Sequence, residues 1–317
     1  MSNVVRQATG AALKSPDKHD PVERELQKLM EQDDAAQAEV DEWIADNQQF
    51  AAKGAGVSST TLHARLTQRL DKVKQAYEAF LKKHPDHARG RLAYGSFLND
   101  IQESDKARLQ WEKARELDPA NPAAWNNLAN YYGHNSPVSK SFEYYAKAIE
   151  LDPKESVYYQ NLASTVYLFR RDATNYYKID ERQVFDKALQ LYRKALELDP
   201  GNFLLATDYA QTYYGIRSAR NGDEEADRAF RARLNDEALE AWRVALKLAR
   251  DDIERQGVYI HFARIQINAG RFEEARKNLD SVTNTMFTAT KQTLARNLEQ
   301  KEIQARNSQP IAIDQKK

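Results

Sequence analysis

The stretch PAAWNNLANYYGHNSPVSKSFEYYAKAIELDPKE, residues 122–155, decides the fold, because it sets large aromatic and small side chains at fixed helical offsets. Leu128 and Ala129 stand side by side in its first half, and Tyr145 and Ala148 lie three residues apart in its second half. A proline after Leu-Asp then ends one helix and begins the next. The segment therefore predicts two helices that approach closely, with small residues at their contact.

The same arrangement recurs along the chain. Four copies close on the sequences KKHPDH, ELDPAN, ELDPKE and ELDPGN, and the closing residues are Pro85, Pro119, Pro153 and Pro200. The first two intervals are 34 residues each, and the third is 47, which is 34 plus an insertion of 13. Two further copies lack the proline but keep the spacing of small and large residues. Such units cannot bury their apolar faces alone, so we expect them to stack into a solenoid.

This repeat resembles the tetratricopeptide repeat in its 34-residue period, its Trp-Leu-Ala-Tyr run, its Ala-aromatic-Ala run and its terminal proline. The resemblance implies an all-α fold, a right-handed superhelical solenoid of helix-turn-helix repeats with capping helices at both ends. We expect a disordered N-terminus (1–20) followed by N-terminal capping helices (21–53) and the solenoid (54–289). A C-terminal capping helix (290–307) and a disordered tail (308–317) follow. The copies lie near 54–87, 88–121, 122–155, 156–202, 203–252 and 253–289.

Copies 156–202 and 203–252 each carry an insertion between their two helices, so both insertions are predicted on one edge of the solenoid. Asp180 and Gln183 form a predicted capping box in the first. Apolar residues at every fourth position predict a helix extended toward its N-terminus in the second. Inserted loops at one edge often serve binding, and the alternative is that they only fill that edge. The candidate insertion surface comprises Tyr176, Tyr177, Arg217, Arg220 and Phe230.

The composition limits the function classes. The 317 residues include 47 Lys and Arg against 47 Asp and Glu, so the formal net charge is zero. Nucleic-acid binders usually carry a basic excess, because phosphate neutralisation supplies much of their affinity, so we expect no nucleic-acid partner. The absence of cysteine excludes disulfides, zinc–thiolate sites and thiol nucleophiles. No apolar run approaches the ~20 residues of a membrane span. We expect a soluble chain, cytoplasmic as given or periplasmic if a leader was removed, and the sequence leaves compartment and oligomeric state open.

The sequence contains no motif for catalysis or for a cofactor. It lacks the glycine-rich phosphate and dinucleotide loops and the Gly-x-Ser-x-Gly nucleophile turn. Only His84 and His87 lie close together, beside Asp86, and solvated turn residues are favoured there over a metal site. We therefore predict no catalytic residue, no cofactor and no metal.

The resemblance also implies a binding surface, because the first helix of each copy lines a concave groove in this family. The expected groove residues are Arg89, Asn126, Asn127, Asn130, Gln160, Asn161, Ser164, Tyr167, Thr207, Asp208, Gln211, Tyr214, His261 and Arg264. A side-chain amide offers two donors and an acceptor, so such residues can bracket the backbone of an extended peptide.

Two family precedents bear on this groove. Asn127 and Asn161 precede a Leu in successive copies, which is similar to the asparagine ladder in the repeat domain of O-linked N-acetylglucosamine transferase. The alternative is that these amides bond between adjacent helices. The carboxylate clamp of heat-shock co-chaperones needs cations where this chain has Asn126, Leu204 and Asp208, so we predict no such clamp.

The resemblance implies a non-catalytic scaffold or adaptor that binds a peptide segment or a partner protein in its groove. One alternative is an assembly factor of a bacterial envelope or secretion complex, which would bind through the edge insertions. Another is a substrate-presenting subunit of a separate enzyme. The sequence does not identify the partner or the biological process.

Overall fold

The computed structural model describes residues 20–217 and 223–307, and in these residues the chain forms fourteen α-helices, two short 3₁₀ helices and no strand. This confirms the predicted all-α class. The predicted ends 1–19 and 308–317 and the candidate Arg220 lie outside the described residues. The α-helices in chain order are α1 (Pro21–Ala52), α2 (Ser59–Lys83), α3 (Ala88–Asp100), α4 (Ser104–Leu117), α5 (Pro122–His134), α6 (Ser139–Leu151), α7 (Ser156–Leu168), α8 (Arg170–Tyr177), α9 (Glu181–Leu198), α10 (Phe203–Thr212), α11 (Glu224–Leu248), α12 (Asp252–Asn268), α13 (Phe272–Asp280) and α14 (Thr288–Asn307).

The chain divides into two compact units, and the division falls inside α7. Unit 1 comprises the described residues up to Thr165 together with Arg171–Tyr177. Unit 2 comprises Val166–Arg170 and the described residues from Lys178 onward. Each unit has its own apolar core, which includes the buried Trp111 in unit 1 and the buried Trp242 in unit 2.

Small residues allow the two helices of each copy to touch. Gly95 of α3 faces Trp111 of α4, and a Cβ at residue 95 would lie 2.4 Å from Trp111 Nε1, so only glycine fits without a shift. In the next copy, Ser141 Oγ of α6 donates to the Ala129 carbonyl oxygen of α5 at 2.8 Å. The close helix contact predicted from large and small neighbours is therefore present in unit 1.

One backbone bond and one side-chain cap define the turn between α4 and α5. The Asp118 backbone N–H donates to the Ala114 carbonyl oxygen at 2.9 Å and so closes α4. Asn121 Oδ1 then accepts from the Ala123 N–H at 3.0 Å at the start of α5, whose first residue is Pro122. These bonds satisfy backbone groups that a helix end leaves unpaired, which explains why the turns can be so short.

The two insertions are structured differently. The predicted capping box is confirmed at the start of α9, where Asp180 Oδ1 accepts from Gln183 N at 2.8 Å and Gln183 Oε1 accepts from Asp180 N at 3.0 Å. The predicted helix extension is also confirmed, because α11 begins at Glu224 and runs without interruption to Leu248. The short helix α8 in the first insertion was not predicted from the sequence.

Long helices such as α1 and α11 do not have the character of membrane segments. Across residues 20–217 and 223–307, no helix combines the length and the hydropathy that a bilayer span requires.

Candidate functional site

The expected groove asparagines of unit 1 are used for contacts within the protein. Asn126 and Asn127 on α5 are fully buried. Asn161 Nδ2 on α7 donates to Asn126 Oδ1 at 3.0 Å, and Asn126 Nδ2 donates to Asn127 Oδ1 at 3.3 Å. Tyr145 of α6 donates its hydroxyl proton to Asn130 Oδ1. Neighbouring helices are thus joined through these amides, which is the alternative that the sequence left open.

The other expected groove residues of unit 1 are half-buried. Arg89 at the start of α3 forms an ion pair with Glu23 of α1, and both side chains are largely covered. Gln160 and Ser164 lie on α7, beside Asn161, with part of each residue exposed. The capping helix α1 therefore engages the one cation that the sequence analysis assigned to this part of the groove.

His84 and His87 lie beside carboxylates of α1. His84 Nε2 lies 3.5 Å from Glu25 Oε2, and His87 Nε2 lies 3.3 Å from Glu23 Oε1. His87 Nδ1 also accepts from the Gly90 N–H at 3.0 Å and caps α3. Within the part of the chain that the structure describes, no group of three or more His, Asp or Glu side chains could hold a metal ion.

In unit 2, three expected groove residues come together above a buried tryptophan. The ring of His261 on α12 stacks on Trp242 of α11, with centroids 3.9 Å apart and an interplanar angle of 9°. His261 Nδ1 shares a hydrogen bond of 2.9 Å with the hydroxyl of Tyr214. The Arg264 guanidinium carbon lies 5.8 Å from the centre of the Tyr214 ring. One interacting cluster therefore contains Tyr214, His261 and Arg264.

The electrostatics of this cluster follow from burial. Desolvation, with a smaller contribution from the Arg264 charge, lowers the pKa of His261 to about 4, so its ring is neutral at neutral pH. Desolvation raises the pKa of the Tyr214 hydroxyl to about 12. Tyr214 nevertheless keeps 37% of its surface exposed. The cluster thus presents a neutral aromatic pair beside one cation.

The remaining expected residues of unit 2 lie on α10 or near its end. Thr207 and Asp208 are half-exposed and Gln211 is exposed, and they occupy the helix face that leads to Tyr214. Leu204 stands on the same face with 41% of its surface exposed. Tyr167 instead packs toward Phe185, with ring centroids 6.0 Å apart. We define the α10–α12 face as six residues that are at least partly exposed: Leu204, Thr207, Gln211, Tyr214, His261 and Arg264.

The candidate insertion residues are mostly packed within their own units. In unit 1, the rings of Tyr176 and Tyr177 lie 5.2 and 5.4 Å from that of Phe142. In unit 2, Phe230 is half-buried, with the Arg182 guanidinium 4.7 Å from its ring centre. Arg217 is exposed. Tyr176 keeps 41% of its surface exposed and is the best remaining binding candidate among these aromatic residues.

Sequence reasoning missed a polar cavity between α12 and α14. Amide and lysine side chains of α14 line it together with Arg264 and Asn268 of α12. The sequence contains one indication of this cavity, namely four polar residues of α14 at helical spacing. All four line the cavity: Asn297, Gln300, Lys301 and Gln304. The sequence analysis assigned α14 only the role of a cap.

Comparisons with known proteins agree with the helical pairs. The family model described as the tetratricopeptide repeat matches residues 69–114 and again residues 100–156. No curated protein sequence matches the chain significantly.

Several solved structures are similar to this chain in fold. YrrB, described as a TPR protein with an unusual peptide-binding site, is 14% identical, and the match covers 70% of this chain and 99% of YrrB at a TM-score of 0.50. PilF of Pseudomonas aeruginosa is 15% identical, with 86% of this chain and 99% of PilF covered at a TM-score of 0.50. PilW, a type IV pilus biogenesis factor, is 13% identical, and the match covers 81% of this chain and 98% of PilW at a TM-score of 0.53. At these identities the likeness concerns the fold, an all-α helical-repeat solenoid. With its repeated 34-residue spacing, paired helices and matching family model, the segment 69–156 consists of tetratricopeptide repeats.

Proposed function

We propose that this protein is a non-catalytic interaction scaffold that holds a segment of a partner protein against the α10–α12 face. The tetratricopeptide repeats in residues 69–156 and the likeness in fold to YrrB, a TPR protein with a peptide-binding site, support a protein partner. Fold alone does not decide function, so the proposal depends on the site.

The observation that carries the proposal is the exposure of Tyr214 within a rigid cluster. Its hydroxyl is held by His261, and the His261 ring is in turn fixed on the buried Trp242. A partner that contacts Tyr214 therefore orders few side chains on binding, which reduces the entropy loss of association. Leu204 adds exposed apolar surface on the same helix face, and Gln211 adds an amide.

Site-specific photo-cross-linking tests this proposal. The full chain would carry p-benzoylphenylalanine at Leu204 in one variant and at Val244 in a matched variant. The two residues are 41% and 42% exposed, both are aliphatic and both lie in unit 2, but Leu204 is on α10 and Val244 is on α11. We expect a discrete protein partner to cross-link at residue 204 and not at residue 244. Equal cross-linking at both residues, or none at residue 204, would contradict the proposal.

An assembly factor that binds through its edge insertions is the second candidate, and the exposed ring of Tyr176 favours it. A third cross-linking variant at Tyr176 separates the two. If the partner reacts at residue 176 and not at residue 204, binding occurs through the insertion. The third candidate function is a substrate-presenting subunit of a separate enzyme. The identity of the cross-linked partner tests it, since such a subunit would capture an enzyme.

A further inference from the structure

Basic and amide side chains line the cavity between α12 and α14. It has a volume of about 330 Å³, and its apolar floor consists of Ile267 and Leu294. Two cations and four amides complete the lining: Arg264, Lys301, Asn268, Asn297, Gln300 and Gln304. Among the described residues, no carboxylate lines it.

Among the residues that the structure describes, neither cation of this cavity has an acidic partner. Lys301 donates to Asn268 Oδ1 at 2.8 Å, and Arg264 lies over the Tyr214 ring. Neither forms an ion pair with a carboxylate in the segments 20–217 and 223–307. Elsewhere on this chain, Lys113, Lys194 and Arg250 each pair with a carboxylate three or four residues away, whereas neither cation of this cavity does.

An adjacent cavity between α13 and α14 provides an internal contrast. It measures about 430 Å³, and Arg271 and Arg306 line it together with Glu273, Glu274 and Glu302. Its basic residues therefore face carboxylates of the same chain. The helix α14 borders both cavities, so the difference is local to the face that α14 turns toward α12.

The basic cavity is continuous with the α10–α12 face, because Arg264 belongs to both. A chain segment that contacts Tyr214 meets Arg264 next, and then the Lys301 and amide positions of α14. The guanidinium offers a planar pair of donors that matches a carboxylate, and Lys301 and the amides offer further N–H donors around it.

We propose that this cavity binds the acidic side chains of the partner segment, so that the scaffold selects a segment containing Asp or Glu beside the residue that contacts Tyr214. This rests on the proposed function and adds a chemical class of partner to it. Charge complementarity favours acidic side chains, since Arg264 and Lys301 line the cavity and no described carboxylate does.

Fluorescence anisotropy of the full chain at low salt tests the proposal. The probes are a labelled peptide of alternating Glu and Ala with an amidated C-terminus, the same peptide with Gln for Glu, and the Gln peptide with a free C-terminus. We expect the Glu peptide to bind at least about fivefold more tightly than either Gln peptide, since one favourable ion pair is worth about 1 kcal/mol. Equal binding of the Glu and Gln peptides would refute the proposal, as would a preference for the free terminus.

Variants then locate the binding. Arg264→Gln and Lys301→Gln should each weaken binding of the Glu peptide by about fivefold, Arg264→Lys should restore part of it, and Arg306→Gln in the adjacent cavity should leave it unchanged. Thermal unfolding of each variant shows whether it is folded. An affinity that survives both Gln substitutions would overturn the assignment. If the Glu and Gln peptides bind equally while a partner still cross-links at residue 204, this inference is wrong and the proposed function stands.

Discussion

Unit 1 and unit 2 both carry polar side chains on the first helices of their copies, and they use them in opposite ways. In unit 1, Asn126, Asn127 and Asn161 bond to one another and two of them are fully buried. In unit 2, Gln211 and Tyr214 remain exposed, and Arg264 has no acidic partner among the described carboxylates. Polar side chains of first helices therefore stabilise unit 1, whereas those named in unit 2 remain available to a partner.

This difference shows that a groove position is not in itself a binding position. A buried amide that already bonds within the fold gains little from a ligand, because it would have to exchange existing bonds for new ones. An exposed side chain held in place by buried neighbours loses little on binding. Substitutions in the two units should accordingly separate into effects on stability and effects on partner capture.

The largest effect should come from Asn126→Ala. The substitution removes the acceptor of the Asn161 amide and leaves that amide without its partner on α5, so we expect the free energy of unfolding to fall by about 3 kcal/mol. Urea unfolding followed by circular dichroism measures the change, and hydrogen exchange assigns it to α5 and α7. Cross-linking at Leu204 should persist at a temperature where the variant is folded.

Gln211→Ala is the matched control, because it also removes an amide from the first helix of a copy, but an exposed one. We expect its free energy of unfolding to change by less than about 0.5 kcal/mol. If both variants lose the same stability, or if Asn126→Ala abolishes capture without loss of stability, the contrast between the units is wrong.

The fold could be predicted from the sequence because its determinants are local and repeated. Gly95 opposite Trp111 belongs to the repeated pattern of small and large residues, and the capping box of Asp180 and Gln183 joins residues only three positions apart. The short helix α8 escaped prediction, since it occurs only once and its few apolar residues form no long periodic stripe.

The candidate site could be predicted only in part. Helical spacing placed Tyr214, His261 and Arg264 on or beside first helices, and the structure brings them together. Spacing could not show that Asn126 and Asn127 are buried, because burial depends on how closely the next copy packs. It also could not show the cavity at Lys301, which forms only when α14 lies against α12.

A fall in pH should weaken unit 2 through His261. Its pKa is about 4 in the folded chain against an ordinary value of 6.5, so below pH 6.5 the unfolded chain takes up the proton first. Stability is therefore lost as the pH falls from about 6.5 toward 4, by about 3 kcal/mol at the lower end. Hydrogen exchange of α10 and α12 at both ends of this range measures it. His261→Phe should remove this pH dependence, and a variant that retains it would refute the assignment.

Unit 1 should respond in the opposite direction through Asp33. Burial is the main reason that its pKa rises to about 6, with smaller contributions from Asp100 and Asp34, while hydrogen bonds from Tyr77 and Gln37 oppose the shift. The folded unit therefore binds this proton more readily, and the Asp33 contribution to stability is present below about pH 4 and lost as the pH rises through about 6.

Asp33→Asn tests this second assignment. It keeps an acceptor for the Tyr77 hydroxyl, which now donates to Asp33 Oδ2 at 3.0 Å, but it removes the buried charge. We expect the variant to stabilise α1 and α2 by about 1 kcal/mol at about pH 7 and to have little effect at about pH 4. Equal effects at both pH values would show that Asp33 does not titrate in this range.

The smallest effects should come from a matched pair of tyrosine hydroxyls. In Tyr145→Phe, the half-buried Asn130 of unit 1 loses a donor, so we expect a loss of about 1 kcal/mol of stability and unchanged partner capture. In Tyr214→Phe, His261 loses its partner at a ring that solvent already reaches, so stability should change by less than about 0.5 kcal/mol. The phenyl ring that replaces the tyrosine is then less firmly held, and partner capture should weaken by about threefold. Capture that depends on residue 145 and not on residue 214 would place binding in unit 1 and reverse the comparison.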